Sequence, residues 1–455
     1  MDNKPAPRQR FGGRGRFNQQ RFQRRDQDKA AGGDVGQGAA RERARQQRIQ
    51  SKKQQQWNTW AFNRNREQVT YGSSVDIRPE WSVLEQVQLS TLTKLQMPAD
   101  KTGRPVIPEP EELGSYGKLR WFNKAFDKVT PKFERELSRT SKPRYNVTTS
   151  DDPVMEQFAK KKAGTVFATD SMVAAIMCAA RSVYSWDLVM TKEDGQVFFD
   201  KRDEGNFDLL TVSETSQEPI SDDKENINGV SQLSKESTTA NGNFAQQVLV
   251  EESAEKAMDF GAKDPFVDAG EDAAVAGYRY RKWKLSDDIT LVARCALDGV
   301  VESKGTKSLL SIKALTEFDS KVTGVDWRQK IETQRGAVIA TELKNNANKL
   351  AKWTCSALLA GADQMKLGFV SRVHPKDPNA HAIINTQTYK PKDFAQQINL
   401  TEGNMWGVFK SIAETCLKMD DGKYLLVKDP NKPIIRIYEV PADAFNDDYA
   451  KEPIG

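Results

Sequence analysis

Hydrophobic and polar positions alternate in two registers along this chain, and the switches between them mark its elements. Between Gly324 and Arg372 a short apolar run, Ala337-Val338-Ile339-Ala340, leads into Glu342-Leu343-Lys344. Leu350, Trp353, Ala357 and Leu358 then recur at helical spacing, and Gly361 supplies a stop. A second apolar run, Leu367-Gly368-Phe369-Val370, follows. The pattern predicts strand–helix–strand with both strands buried, which sets Glu342 and Lys344 on one strand face. Just upstream, Glu317-Phe318-Asp319 sets two carboxylates on one face if that segment is extended.

Elsewhere the same reading gives a mixed α/β chain. Trp81, Val83, Leu84, Val87 and Leu89 form a short packed element within a connector, 67–115, which Pro105, Pro108 and Pro110 interrupt. The globular body is expected from about Tyr116 to residue 445, with Trp121, Phe122, Phe126 and Val129 spaced for packing. Asp152 before Pro153 opens a helix. Asp170 or Ser171 caps an apolar helix from about Met172 to Val183. Ser185–Met190 pairs with Gln196–Phe199 across Glu193-Asp194-Gly195. Tyr278-Arg279-Tyr280-Arg281-Lys282-Trp283-Lys284 is a strand that serves either as an RNA-stacking face or as a wall with one buried aromatic face. Strands at Ile289–Arg294 and Leu309–Ile312, a helix over Glu402–Lys418 and a hairpin around Pro430-Asn431-Lys432 complete the body. His374 and His381 fall in a Pro/Asp-rich loop and receive no role.

Charge divides the chain. The total is +5, but residues 1–66 hold 17 Lys/Arg against 5 Asp/Glu, so they carry +12 and the remainder −7. This arm is low in complexity, with Phe11, Phe17 and Phe22 interleaved with Arg and Gly. Such a segment is expected to be disordered and to meet RNA through phosphate contacts and stacking, or else to serve as a solvated docking arm. Residues 212–244 are polar and acidic, which predicts a long mobile insertion. No apolar run reaches bilayer length and Met1 opens a basic segment, so a soluble, cytoplasmic chain without membrane contact is expected. Cys178, Cys295, Cys355 and Cys416 are scattered without a CxxC pair, as in buried reduced thiols.

Glu317, Asp319, Glu342 and Lys344 together resemble the acidic constellation of metal-dependent nucleases, where carboxylates hold a divalent ion that activates water. The same triplets also occur on solvated strands.

Longer stretches carry a closer resemblance. FNKAFDKVT, TTSDDPV, VFATD, RSVYSWD, FFDKRD, FDLLTVSET, YRYRKWKL, GVDWRQK, QRGAVIATELKNN, KLAKWTC, FAQQINL and GKYLLVKDPNK resemble the cap-binding subunit family of eukaryotic translation initiation factor 3, from about Trp121 to Val440. The resemblance implies a single large mixed α/β domain similar in fold to the decapping exonucleases, and a function in binding the 5′ cap of selected messages. It implies capped mRNA, the other subunits of initiation factor 3 and the small (40S) ribosomal subunit as partners, and no cofactor or catalytic residue. By match, the cap-contact positions are Asp170, Val183, Tyr184, Thr238 and Asn241, with Gly242 where the family usually has His. An RNA gate that can close over the pocket falls at Asn206, Phe207, Asp208, Leu209, Leu210, Thr211, Val212, Ser213, Glu214, Thr215, Ser216, Gln217, Glu218, Pro219 and Ile220, inside an insertion spanning 206–244. In that family, Glu317, Asp319, Glu342 and Lys344 belong to a pocket that binds and does not cleave. Two departures stand out: the basic arm begins almost at Met1 where the family usually has a longer docking segment, and the acidic tail of animal members is replaced by a short tail, 446–455. The alternatives are a decapping or 5′-end nuclease using the acidic pocket, and a scaffold whose arm alone meets RNA.

Overall fold

The computed structural model describes residues 71–445, with the exception of 222, 224, 251–256 and 269–270. The basic arm and the tail therefore lie outside the described residues. Two sheets carry the fold. The larger runs in the order β1 (Ser82–Gln88), β15 (Ile434–Val440), β14 (Gly422–Lys428), β5 (Asp187–Glu193), β6 (Gln196–Asp200), β4 (Val166–Thr169), β9 (Thr290–Leu297), β8 (Gly277–Lys284), β2 (Glu111–Arg120) and β7 (Ala257–Asp259). In it β4 is parallel to both neighbours and the other pairings are antiparallel. The smaller runs β10 (Gly299–Ser303), β11 (Thr306–Glu317), β12 (Gln364–Arg372), β13 (His381–Tyr389) and β3 (Arg135–Glu136), with β11 and β12 parallel. The longer helices are α1 (Pro153–Lys160), α2 (Asp170–Met177), α3 (Val230–Gln247), α4 (Arg335–Asn345), α5 (Ala347–Ala360), α6 (Pro391–Gln397) and α7 (Glu402–Leu417). The class is mixed α/β, as expected.

Local chemistry explains most of these boundaries. The Asp152 carboxylate accepts the backbone N–H of Val154 at 2.9 Å and of Met155 at 3.2 Å, with Pro153 in the first turn of α1. It also takes the Tyr280 hydroxyl and the Arg294 guanidinium, the latter at 2.6 Å, so one buried acid caps a helix and neutralises a buried base. Asp194 and Gly195 both have positive φ and close the β5–β6 hairpin as a tight two-residue turn. Gly361 ends α5 in the left-handed region. All four cysteines are buried and free.

Four expectations are corrected. The segment expected to be a strand before α5 is helix α4: Val338, Ile339, Glu342 and Asn345 are its buried positions, at helical spacing, within a run rich in helix formers. A four-residue apolar run cannot distinguish the two states by itself. The apolar helix expected over 172–183 ends at Met177, and Asp170 is its first residue, not its cap. The insertion of 212–244 is not one mobile stretch, because from Val230 onward it is α3, which buries Leu233, Ala240 and Phe244. His381 is buried at the start of β13 and contacts Glu236 at 2.8 Å, outside any loop. The connector also contributes more than a packed element: β1 pairs along β15, and Leu89 and Leu92 enter the main core.

The basic and aromatic strand β8 resolves toward structure. Tyr278, Tyr280 and Trp283 are buried. Arg279 and Arg281 share Glu112 and donate to the last carbonyls of α5, at Ala360 and Leu359, where positive charge offsets the helix dipole.

Helix α3 sits on the smaller sheet at one rung. Ala314 and Gly368 face each other across β11 and β12. Asn241 Oδ1 accepts the Ala314 N–H at 2.9 Å, and a Cβ on Gly368 would lie 2.3 Å from the Phe244 ring. Gly368→Ala is therefore expected to cost about 1–3 kcal/mol through overpacking. A lowered denaturant midpoint at unchanged slope checks this, and an unchanged midpoint refutes the close-approach argument.

Candidate functional site

A cleft of about 850 Å³ opens along α3 and brings together three of the five positions expected from the resemblance to contact a cap: Asp170, Thr238 and Asn241. Its walls also carry Tyr145, Phe207 and Trp353 as aromatic groups, and Arg144, Lys235, Lys313 and Lys352 as bases. Asp170 begins α2 under β9, where its carboxylate accepts the Ala296 N–H at 3.2 Å. Burial pushes its carboxyl up to about 6, against the pull of that N–H and of Lys313 and Arg294. Deeper in the wall, burial opposes the charge on Asp298, but Lys313 at 2.9 Å and Arg144 at 3.8 Å outweigh it and hold that carboxyl below its usual range. Asn241 is buried and committed to the Ala314 N–H. Position 242, on the same helix, is glycine, and a Cβ there would meet Arg144 Nη1 at 3.3 Å.

Val183 and Tyr184 are not on this wall. They lie beneath the 206–220 segment, and both backbone N–H groups donate to Glu214 Oε1, at 2.7 and 3.0 Å. The segment expected as a gate begins in the cleft, where Phe207, Asp208, Leu209 and Leu210 line it and the Leu210 N–H donates to the Thr238 hydroxyl at 2.8 Å. It then seats on the junction of α4 and α5. Ser213 N–H donates to Asn346 Oδ1 at 2.9 Å, Thr215 N–H to the Asn345 carbonyl at 2.9 Å, and the Thr215 hydroxyl to the Lys344 carbonyl at 2.6 Å. Val212, Ser213, Glu214 and Thr215 are buried. Val212 and Ile220 pack with Leu233 and Phe318, so the segment expected as a gate is an integral part of the structure.

The acidic quartet is divided. Glu317 ends β11, and its carboxylate accepts the Trp327 N–H at 3.0 Å and the Ser371 hydroxyl at 2.9 Å. Burial raises its carboxyl to about 7, with those two donors opposing. Glu342 is buried on α4, bonded by the Asn346 amide at 2.8 Å. Burial raises it as well, Lys349 pulls it back, and the charge of Glu317 adds to the rise. Asp319 instead caps the turn Ser320–Thr323 through the Lys321 N–H, and Lys344 reaches Gln217 of the 206–220 segment at 3.2 Å. Two residues apart on a helix, Glu342 and Lys344 point to nearly opposite sides. Among the described residues no group of three or more His, Cys, Asp and Glu side chains is placed to hold a metal ion, so the quartet does not fit the ion that a nuclease of this type requires.

The base that does act on Glu342 is Lys349, on the first turn of α5 and 1% exposed. Burial lowers its ammonium, while Glu342 and Glu214 oppose the shift. Sequence pattern hides this lysine because it sits inside an apolar helical run. Asn348 beside it, bonded to the Glu214 carboxylate at 3.1 Å, is hidden for the same reason.

The fold and the cleft thus define a class: a two-sheet α/β protein with a large charged cleft, one wall of which holds an internal segment in place. Comparison with known proteins identifies the family. The family model described as eukaryotic translation initiation factor 3 subunit 7 matches residues 1–439, and the chain belongs to that family. It is 51% identical over 460 residues to the D subunit of eukaryotic translation initiation factor 3 from Arabidopsis thaliana, covering all of this chain and 75% of that protein. It is 48% identical over 380 residues to the corresponding D-1 subunit from Drosophila mojavensis, covering 83% of this chain and 66% of that protein. Among solved structures, Candida albicans Rai1 in complex with pU5-Mn2+ is similar with a TM-score of 0.48 at 11% identity, over 79% of this chain and 94% of that one. No helix of the described residues is long and apolar enough to cross a membrane.

The buried acids give a stability prediction. Glu317 has a folded value above its unfolded one, so its contribution is fully present below about pH 4.5 and is lost as pH rises through about 7. Thermal stability is expected to fall between about pH 5 and about pH 7.5, and to fall less in Glu317→Gln, by up to about 1.4 kcal/mol per unit of pH. Identical pH profiles for the two proteins would contradict the placement of this carboxyl.

Proposed function

We propose that this chain is a 5′-cap-binding subunit of eukaryotic translation initiation factor 3, acting in the cytoplasm in cap-dependent initiation on selected messages. Its partners are capped mRNA, the other subunits of the factor and the small ribosomal subunit. One observation carries the reading: Asp170, distant in sequence from Thr238 and Asn241, meets them in one cleft lined by both aromatic and basic groups. A cap is a cationic purine on a triphosphate bridge. An acid beside aromatic faces suits the first part, and lysines and arginine on the same walls suit the second.

Each group has a task in this reading. Asp170, ionised, attracts the methylated purine; its raised carboxyl keeps that charge adjustable near neutral pH. Lys235 and Lys352 face the same space and meet phosphate oxygens. Asn241 is a positioning residue, since its amide oxygen fixes α3 on β11. In the described conformation Thr238 holds the gate through Leu210, so binding requires that this bond open. The reading assigns no catalytic step. Glu317 and Glu342 are engaged in internal bonds, and Asp319 and Lys344 point elsewhere.

Binding of capped against uncapped RNA of the same sequence tests this in the full chain. Capped RNA is expected to bind more tightly, with the preference falling as pH drops from about 7.5 to about 5.5, because Asp170 takes up a proton in that range. In Asp170→Asn the preference shrinks by about tenfold and loses its pH dependence, consistent with the loss of roughly one charged contact. Equal binding of the two RNAs at every pH sinks the cap reading.

A further inference from the structure

The Glu214 carboxylate occupies a site built for an anion. Its Oε1 takes the backbone N–H groups of Val183 and Tyr184, at 2.7 and 3.0 Å, and lies 3.3 Å from Asn348 Nδ2. Its Oε2 takes Asn348 Nδ2 at 3.1 Å and the Thr211 hydroxyl at 2.9 Å. The Lys349 ammonium, almost fully buried, adds its charge from the first turn of α5, a helix long enough to present a positive N-terminal end. Two successive N–H groups aimed at one oxygen form an anion nest. That nest is fixed from outside the gate: the Ser182 hydroxyl holds the Tyr184 carbonyl at 2.9 Å, and the Lys428 ammonium holds the Val183 carbonyl. Only Glu214 and Thr211 come from the gate itself, so the cradle remains when the gate leaves.

We propose that this cradle is a phosphate-binding site, that Glu214 is its tethered occupant, and that a phosphate of the RNA 5′ end displaces it to open the gate. The partner identity rests on the cap-binding reading; the anion chemistry does not. A carboxylate presents one charge on two oxygens, whereas a phosphate in a triphosphate bridge presents as much charge with oxygens in more directions. The exchange keeps every donor of the cradle satisfied. It frees the Thr211 hydroxyl and releases the gate from the Ser213–Asn346 and Thr215–Asn345 bonds that stand beside it. Opening is therefore coupled to recognition, because the buried cations are never left without an anion.

The test uses the full chain with inorganic triphosphate as the probe, read by binding and by hydrogen exchange. In the unaltered chain, triphosphate is expected to speed exchange at Ser213 and Thr215 while Val183 and Tyr184 stay protected. Glu214→Gln keeps an acceptor for the two N–H groups but removes the charge, and is expected to bind triphosphate about tenfold more tightly. Lys349→Met is expected to lose that binding; Asn348→Ala provides an independent weakening if the lysine variant does not fold. The proposal is overturned if triphosphate leaves exchange unchanged and binds Glu214→Gln no better than the unaltered chain. It is also overturned if Glu214→Gln improves binding of phosphate-free 7-methylguanosine as much as of triphosphate, which would make Glu214 a steric latch alone. Should triphosphate behave as stated while capped and uncapped RNA bind alike, the anion cradle stands and the cap reading falls.

Discussion

A phenyl ring set against a missing side chain holds the site together. Phe244 fills the space above Gly368, and three residues earlier Asn241 takes the N–H of Ala314 on the facing strand. Those two contacts fix α3 on the smaller sheet at a single rung, one by shape and one by a bond that cannot slide. The wall of the cleft follows from this. Thr238 is turned toward Leu210, Glu236 reaches Arg372 and His381, and Asn243 accepts the Thr140 N–H of the irregular segment that lines the cleft. Moving α3 by one residue would break all of them together.

Charge is handled differently on the two sides of the molecule. Around β8 the arginines are paired with Glu112 and capped onto the end of α5, a purely structural use. At the start of the same helix the charges are buried without such closure. Glu317, Glu342, Lys349 and Glu214 lie near one another, with burial raising the first two and lowering the lysine. Polar amides join them, Asn346 linking Glu342 to Ser213 and Asn348 meeting Glu214. A buried set of this kind is costly unless each member has its counter-charge, so its acids and base constrain where an internal segment can rest. The 206–220 segment supplies one of those counter-charges, Glu214.

Strongly periodic segments are legible in the sequence. Helix α5, with its glycine stop, the β5–β6 hairpin and the closing β14–β15 pair stand where apolar spacing and turn residues put them. Helix α4 is not, because four apolar residues in a row fit a strand as well as a helix, and only the burial of Glu342 and Asn345 at helical spacing decides the matter. Helix α3 is hidden by its own composition: its buried face includes Ser234, Ser237, Asn241 and Asn243, which resemble solvated insertion in composition and become contact surface when folded. The cleft residues come from resemblance, since nothing in local pattern joins Asp170 to Thr238. Lys349 and Asn348 leave no signal of their own; a polar pair opening an apolar helix looks like ordinary capping until the fold brings Glu214 to it.

Photo-crosslinking of a capped RNA with its reactive group on the methylated base, followed by mapping of the attached peptide, tests the central claim most directly. The account predicts attachment within the cleft, on the peptides bearing Asp170 or α3, competed by free cap analogue, with the cap left intact in Mg²⁺. Attachment confined to the basic arm, or release of the cap, would contradict it.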